Sequence, residues 1–178
     1  MSGYRFDRLK ILVVDDNQHM RKLVAAILQA FGVTQIFEAS NGVRALAAMR
    51  EDCPDAIILD WMMDEMNGIE FTKEVRTSKS SPNPYVPIIM LTGHTSADCV
   101  QQARDVGVNE FLAKPVSVKA MLSRLTAVIE NPRPFVRTDG YFGPCRRRRN
   151  SDDYAGPERR SEGLEETTWV TVKSGDQR

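Results

Sequence analysis

Short apolar runs alternate with segments of helical period from residue 10 to residue 129. The strand-length runs are ILVV (11–14), QIFEA (35–39), AIILD (56–60), PIIMLT (87–92) and EFLAK (110–114). Three of these runs are almost continuously apolar, which is typical of strands that are buried on both faces of a parallel sheet. The pattern therefore predicts five strands at the centre of the fold.

A segment of helical period follows each run. These segments are HMRKLVAAILQAF, GVRALAAMRE, IEFTKEVRTS, ADCVQQARDVG and SVKAMLSRLTAVI. The apolar stripe of the first segment comprises Met20, Leu23, Val24, Ile27 and Leu28, and that of the last comprises Val118, Met121, Leu122, Leu125 and Val128 or Ile129. Five strand–helix units with right-handed crossovers predict an α/β fold, a doubly wound parallel sheet with helices on both faces.

Polar side chains stand where the predicted strands end. They are Asp15, Asp16, Asp60, Thr92, Lys114 and Pro115. Taken singly, each has an ordinary role as a turn residue, a helix cap or a solvated charge. In a doubly wound sheet, however, the ligand crevice lies beyond the carboxyl ends of the strands, where these residues come together.

Three carboxylates in one crevice repel one another unless a cation joins them. Hard oxygen ligands suit Mg²⁺, which keeps several waters and takes one or two carboxylates together with a phosphate oxygen. The sequence therefore predicts a Mg²⁺ site at this edge of the sheet.

Composition narrows the class of protein further. The 178 residues hold 24 Lys plus Arg and 24 Asp plus Glu, so any attraction to nucleic acid or to an acidic membrane must be local. Cys53, Cys99 and Cys145 are odd in number and lack metal-ligand spacing, which indicates free thiols in a reducing compartment. With no signal-peptide core and no apolar stretch near ~18 residues, we expect a cytoplasmic protein without membrane insertion.

The strand-end residues, at these spacings, resemble the receiver domain of bacterial two-component response regulators. The resemblance covers residues 8–130, about two thirds of the chain, and implies the strand order 2-1-3-4-5. It also implies a signalling switch rather than an enzyme. Asp60 would accept a phosphoryl group from the phosphohistidine of a sensor histidine kinase or of a histidine phosphotransfer protein.

The resemblance implies roles for the neighbours of Asp60 as well. Asp16, Asp60 and the backbone carbonyl of Met62 would hold Mg²⁺, and Asp15 would bind it through a water. Lys114 would contact phosphoryl oxygens.

Two further residues would form the switch. Thr92 would contact the phosphoryl group and move toward it, and Phe111 would turn inward to fill the space that is left. Plain core packing is the alternative for Phe111. The family usually has Pro where this chain has Asp64, whose carboxylate either adds to the attraction for a cation or, as we expect, points into solvent.

Residues 131–178 lack an amphipathic stripe, which predicts a flexible or disordered tail. The tail nevertheless repeats itself, because YFGPCRR (141–147) and YAGPERR (154–160) share Tyr-x-Gly-Pro-x-Arg-Arg at a period of 13. We interpret both copies as recognition elements for a protein partner, with an aromatic anchor and paired guanidinium groups. The residues are Tyr141, Arg146 and Arg147 in the first copy and Tyr154, Arg159 and Arg160 in the second.

Two other functions compete with the signalling receiver that acts through protein contact. A transcription regulator would contact DNA through the arginine-rich tail, but acidic residues follow that run closely and no helix-turn-helix is visible, so we do not expect nucleic-acid binding. A Mg²⁺-dependent hydrolase would carry Asp-x-Asp after the first strand, whereas Asp15 and Asp16 are adjacent.

Overall fold

A computed structural model of the chain describes residues 6–93, residues 96–146 and the backbone of residues 167–168. Five parallel strands form the central sheet in the order β2-β1-β3-β4-β5, as predicted. The strands are β1 (Lys10–Val14), β2 (Gln35–Ala39), β3 (Ala56–Asp60), β4 (Ile88–Thr92) and β5 (Glu110–Ala113). Every residue of β3 and β4 is buried, which explains why their sequences are continuously apolar.

Five helices connect and follow these strands. They are α1 (Gln18–Ala30), α2 (Gly42–Asp52), α3 (Gly68–Thr77), α4 (Ala97–Asp105) and α5 (Val118–Glu130). An Asn or Ser side chain caps each helix by accepting backbone N–H groups of the first turn. These caps end the loops that leave the carboxyl ends of the strands, so they fix where each loop turns into a helix.

Two apolar clusters cover the two faces of the sheet. Residues of α2, α3 and α4, including Met49, Phe71 and Ala103, pack on one face. Residues of α1 and α5, including Leu28 and Met121, pack on the other. The fold is therefore the predicted three-layer α/β arrangement, with the core in two halves separated by the sheet.

Two members of the predicted stripes are exposed instead of packed. Leu23 of α1 is 48% exposed and Val118 of α5 is 54% exposed. Leu23 lies at the edge of the stripe whose buried members are Val24, Ile27 and Leu28, and Val118 is the first residue of its helix. Periodicity identifies the face of a helix, but it does not show where the neighbouring layer stops.

The sequence predicts a flexible or disordered tail after residue 130, but part of the described tail forms β-strands. Residues Phe135–Thr138 (β6) and Tyr141–Pro144 (β7) pair as an antiparallel hairpin, and Thr167–Thr168 (β8) pairs with the other edge of β6. Asp139 and Gly140 join β6 to β7, and an Asp-Gly pair is a strong hairpin signal that the tail's composition concealed. Residues 147–166 and 169–178, including the second copy of the repeat, lie outside the described residues.

The hairpin packs on the receiver through a small aromatic cluster. The rings of Phe135 and Phe142 lie 5.3 and 5.2 Å from that of Tyr85, in the loop between α3 and β4. The guanidinium of Arg76, at the end of α3, lies 5.1 Å from the centre of the Phe135 ring. Phe135 is thereby only 5% exposed, so the hairpin adds to the core of the domain.

Arg76 itself joins the end of α3 to two loops. Its side chain is buried and donates hydrogen bonds to the carbonyl of Pro84, the carbonyl of Gly107 and Oδ1 of Asn109. Burial lowers the pKa of Arg76 to about 9, so the side chain stays cationic at neutral pH. The Phe135 ring completes the cover over this cation.

Two further observations bear on the class of protein. Cys53, Cys99 and Cys145 are free thiols, as predicted. In the part of the chain that the structure describes, none of the helices combines the length and the apolar character that a bilayer crossing needs.

The packing of Phe135 predicts that the hairpin stabilises the whole domain. Phe135→Ala should lower the free energy of unfolding by about 3 kcal/mol, because it removes a buried ring and uncovers Arg76. Thr138→Ala, at an exposed position of the same strand, should change it by less than about 0.5 kcal/mol. Urea denaturation of both variants measures the difference, and equal effects would contradict the packing described here.

Candidate functional site

Three carboxylates converge at the carboxyl ends of β1 and β3. These two strands are neighbours in the sheet, so Asp15, Asp16 and Asp60 each place a carboxylate oxygen within 4.8 Å of the others. Asp15 and Asp60 are 1% and 5% exposed, whereas Asp16 is exposed. The predicted acidic crevice is thus present, with two buried members and one open to solvent.

The backbone around Asp15 is held by Arg21, a residue that the sequence did not single out. The Arg21 guanidinium donates to the carbonyl of Asp15 at 2.7 Å and to that of Asp16 at 3.3 Å, and it pairs with Glu38 on β2 at 3.0 Å. The Asp15 side chain accepts the backbone N–H of Asn17 at 2.8 Å. Arg21 therefore fixes the turn that presents both acidic side chains.

Lys114 provides the cation of the site. It directly follows β5, and its Nζ lies 2.8 Å from Oδ1 of Asp60 and 3.1 Å from Oδ2 of Asp15. The Lys114 backbone N–H donates to the carbonyl of Thr92, the last residue of β4, at 2.8 Å. Thr92 is 3% exposed. Five of the predicted residues therefore lie at the ends of adjacent strands, namely Asp15, Asp16, Asp60, Thr92 and Lys114.

Burial and charge oppose each other at this site. Burial raises the pKa of Asp60 and the charge of Asp15 adds to this, while the hydrogen bond and charge of Lys114 offset only part of the rise. Burial alone would lower the pKa of Lys114, but its bonds to Asp60 and Asp15 more than compensate and raise it. The site therefore combines a carboxyl group whose ionisation is opposed by burial with an amine whose protonated form is stabilised by two carboxyl groups.

A second residue that the sequence analysis missed, Gly68, lets α3 begin against Asp60. A Cβ at this position would collide with the backbone carbonyl oxygen of Asp60 and lie 3.1 Å from Cα of Trp61. The Gly68 N–H also donates to the Trp61 carbonyl at 2.9 Å. The signal for it was the Asn-Gly pair at the predicted start of the third helix.

Three other predicted residues surround this centre. Met62 lies two residues after Asp60 in the loop after β3, with a side chain that is 62% exposed. Phe111 is partly buried on β5 and packs against the cluster shared with α2, α3 and α4. Asp64 is exposed and is not part of the carboxylate group, in agreement with the expectation that it faces solvent.

The tail residues lie at a different place. Tyr141 is in β7, and Arg146 stacks on its ring at 4.3 Å and pairs with Asp105 at the end of α4. Arg147, Tyr154, Arg159 and Arg160 lie outside the described residues.

The donor set fits a hard divalent cation. Three carboxylates gather within the reach of one ion, and all of the acidic ligands are oxygen donors. The fold is an open α/β sheet whose acidic cluster lies where the strand order reverses, between β1 and β3, which is where such sheets generally bind ligands.

Comparison with known proteins identifies the family within this class of fold. Residues 11–126 match the family model described as "Response regulator receiver domain". The chain therefore belongs to the response regulator receiver domain family, the receiver class of two-component signalling. Family members are phosphorylation-dependent switches that bind Mg²⁺ at an acidic pocket.

Individual relatives agree with this assignment. The chain is 37% identical over 123 residues to a chemotaxis protein CheY homolog from Campylobacter jejuni, covering 68% of this chain and 92% of that protein. It is 34% identical over 124 residues to the phosphate regulon transcriptional regulatory protein PhoB from Pseudomonas aeruginosa, covering 70% of this chain and 53% of that protein. The chain thus spans about half the length of that regulator.

A solved structure reproduces the same fold. Chemotaxis protein CheY4 from Vibrio cholerae superposes with a TM-score of 0.62 at 37% identity, covering 67% of this chain and 98% of that chain. This match is to a receiver that lacks the additional C-terminal residues found here.

The raised pKa of Asp60 predicts a pH-dependent penalty on stability. The ordinary pKa of an aspartic acid, 3.8, applies to the unfolded chain, and the raised pKa applies to the folded one. The protonated Asp60 therefore contributes stability below pH 3.8, and this contribution is lost as pH rises through the raised pKa. Asp60→Asn cannot ionise, so in metal-free buffer it should be more stable than wild type at pH 7, and the gap should close toward pH 3.5. Thermal unfolding across this pH range measures the gap.

Asp64→Asn is the matched control, because it removes an exposed carboxylate from the same loop. It should differ little from wild type at any pH in that range. A constant gap between Asp60→Asn and wild type from acid to neutral pH would contradict the assignment of the penalty to Asp60.

Proposed function

We propose that this chain is a phosphorylation-dependent switch in a two-component phosphorelay, with Asp60 as the phosphoacceptor. The observation that carries the proposal is the position of Asp60, a buried carboxylate at the end of the central strand β3 that contacts the ammonium of Lys114 at 2.8 Å. The phosphodonor is the phosphohistidine of a sensor histidine kinase or of a histidine phosphotransfer protein.

Transfer to Asp60 follows from the placement of these groups. A carboxylate oxygen of Asp60 forms a bond to phosphorus as the bond between phosphorus and the donor's imidazole nitrogen breaks. Lys114 is placed to neutralise the charge on the phosphoryl oxygens, and the Thr92 hydroxyl contacts them from the adjacent strand end. Burial of Asp60 limits the access of water to the resulting acyl phosphate.

Mg²⁺ binds beside Asp60 in this proposal. Asp16, Asp60 and the backbone carbonyl of Met62 would hold the ion, and Asp15 would bind it through a water. When bound, Mg²⁺ would supply positive charge that offsets the repulsion between the carboxylate and the incoming phosphoryl group. The gathering of three carboxylates around one position supports this set of ligands.

The switch itself consists of Thr92 and Phe111. Thr92 moves toward the phosphoryl group, and the partly buried ring of Phe111 turns inward to fill the space, which changes the surface formed by α4, β5 and α5. A coupling of roughly 1–3 kcal/mol between such sites alters the affinity for a partner about 5- to 150-fold.

The output of the switch is contact with another protein in the cytoplasm, not catalysis. Residues 8–130 form the switch and residues 131–178 a tail that carries the two recognition elements. The contacts of Arg146 favour a protein-binding tail over one that binds DNA directly. Its guanidinium pairs with Asp105 and lies over the Tyr141 ring.

Phosphorylation by a small donor tests the proposal. With acetyl phosphate and Mg²⁺, the intact wild-type chain should gain the mass of one phosphoryl group, whereas Asp60→Asn should gain none. Asp64→Asn retains the site and should react as wild type does, and removal of Mg²⁺ with EDTA should abolish the gain. A phosphoryl group that persists on Asp60→Asn would overturn the proposal.

A further inference from the structure

The first copy of the tail repeat is a structured element whose shared residues make its contacts. The Tyr141 hydroxyl donates to the carbonyl of Pro144 at 2.7 Å, and Arg146 lies over the Tyr141 ring at 4.3 Å. A Cβ on Gly143 would lie 2.6 Å from that hydroxyl. Three of the five residues that the two copies share, Tyr, Gly and the first Arg, therefore have a structural reason to be fixed.

These residues also dock on the end of α4 and on the loop that follows it. A Cβ on Gly143 would come within 2.8 Å of Cα of Gly107, so the two backbones are packed as closely as glycine allows. Arg146 pairs with Asp105 at 2.9 Å, and the Arg104 side chain donates to the Arg146 carbonyl at 3.2 Å. Because the Arg146–Asp105 pair is nearly half exposed, it contributes little, and close packing carries the docking.

A second set of contacts joins the same segment to the start of β5. Arg133, just before the hairpin, pairs with Glu110 at 3.6 Å and donates to the carbonyl of Cys145 at 3.2 Å. Glu110 is only 8% exposed and also accepts from Arg124 of α5 at 3.2 Å. The hairpin is thus tied to β5 as well as to α4.

Both elements run from the hairpin to the phosphorylation site. Helix α4 has its N-cap at Ser96, four residues after Thr92, and its other end at Asp105. Strand β5 begins at Glu110 and ends one residue before Lys114. A shift of Thr92 or Lys114 therefore reaches the hairpin through one helix or one strand, each a rigid element.

We propose that the first copy of the repeat is a docking element for α4 and β5, and that phosphorylation of Asp60 weakens this docking. The inference rests on the proposed function of Asp60. In the unphosphorylated chain Lys114 binds Asp60 and Asp15 directly, so a phosphoryl group on Asp60 requires the ammonium to move to the new oxygens. The backbones at Gly107 and Gly143 are closely packed, so a displacement of the loop before β5 should disrupt their contact.

Hydrogen exchange of the full chain tests this proposal. The amides of Phe135–Thr138 and of residues 141–143 should exchange about 5- to 150-fold faster after incubation with acetyl phosphate and Mg²⁺ than with Mg²⁺ alone. Asp60→Asn should show no such change. The intact mass of the same samples reports whether the chain is phosphorylated.

A pair of glycine variants isolates the docking contact. Gly143→Ala places a methyl group against Gly107, so its hairpin should exchange fast without phosphorylation and respond little to it. Gly140→Ala, in the turn of the same hairpin where nothing lies within 4 Å of an added Cβ, should behave as wild type. Unchanged exchange of β1 and α1 in both variants establishes that the domain is folded.

The outcomes separate this inference from the proposed function. A chain that gains the phosphoryl mass while the hairpin amides exchange at an unchanged rate overturns the coupling and leaves Asp60 as the phosphoacceptor. A chain that gains no mass overturns the proposed function and the coupling with it. Faster exchange in Gly140→Ala, equal to that in Gly143→Ala, would also contradict the assigned contact.

Discussion

The contact of one ammonium with two buried carboxylates is the interaction on which the rest of the structure depends. Asp15 and Asp60 end neighbouring strands, and their charges would repel each other in a site that excludes most water. Lys114 reaches both of them from beyond β5, on the far side of β4. The sheet order 2-1-3-4-5 and the length of the lysine side chain together make this possible. The same arrangement leaves Asp16 open to solvent, with a carboxylate oxygen within 4.8 Å of oxygens of Asp15 and Asp60.

The acidic site and the tail hairpin lie at opposite ends of the sheet. The carboxyl ends of the strands hold the acidic residues, Thr92 and Lys114. The tail hairpin contacts the end of α3, the end of α4 and the start of β5, which lie at the opposite end of the sheet. The hairpin thus lies away from the acidic site, yet it touches α4 and β5, which lead to that site. The family model matches residues 11–126, so the hairpin lies outside the part of the chain that the family model covers.

The sequence predicted most of the sheet because strands buried on both faces must be continuously apolar, as AIILD is. It predicted the acidic centre because parallel strands end at one edge. It did not reveal Arg21, which acts through two backbone carbonyls and Glu38 and stands in no recognisable motif. The Asn-Gly pair was the one sign of Gly68, whose role depends on how closely the backbone of Asp60 approaches it. The hairpin was missed for a related reason. Its strands have only four residues each, and their stability comes from Tyr85 and Arg76, which are distant in the chain.

A double-mutant cycle between Lys114 and Asp60 tests the central interaction most directly. In metal-free buffer at pH 7, urea unfolding of Lys114→Met, Asp60→Asn and the double variant gives the coupling energy of the pair. We predict that Lys114→Met is destabilising in the wild-type background because it leaves two buried carboxylates facing each other, and that it costs at least about 1 kcal/mol less in the Asp60→Asn background. Additive effects of the two substitutions would contradict the account, because they would mean that the ammonium does not hold the carboxylates together.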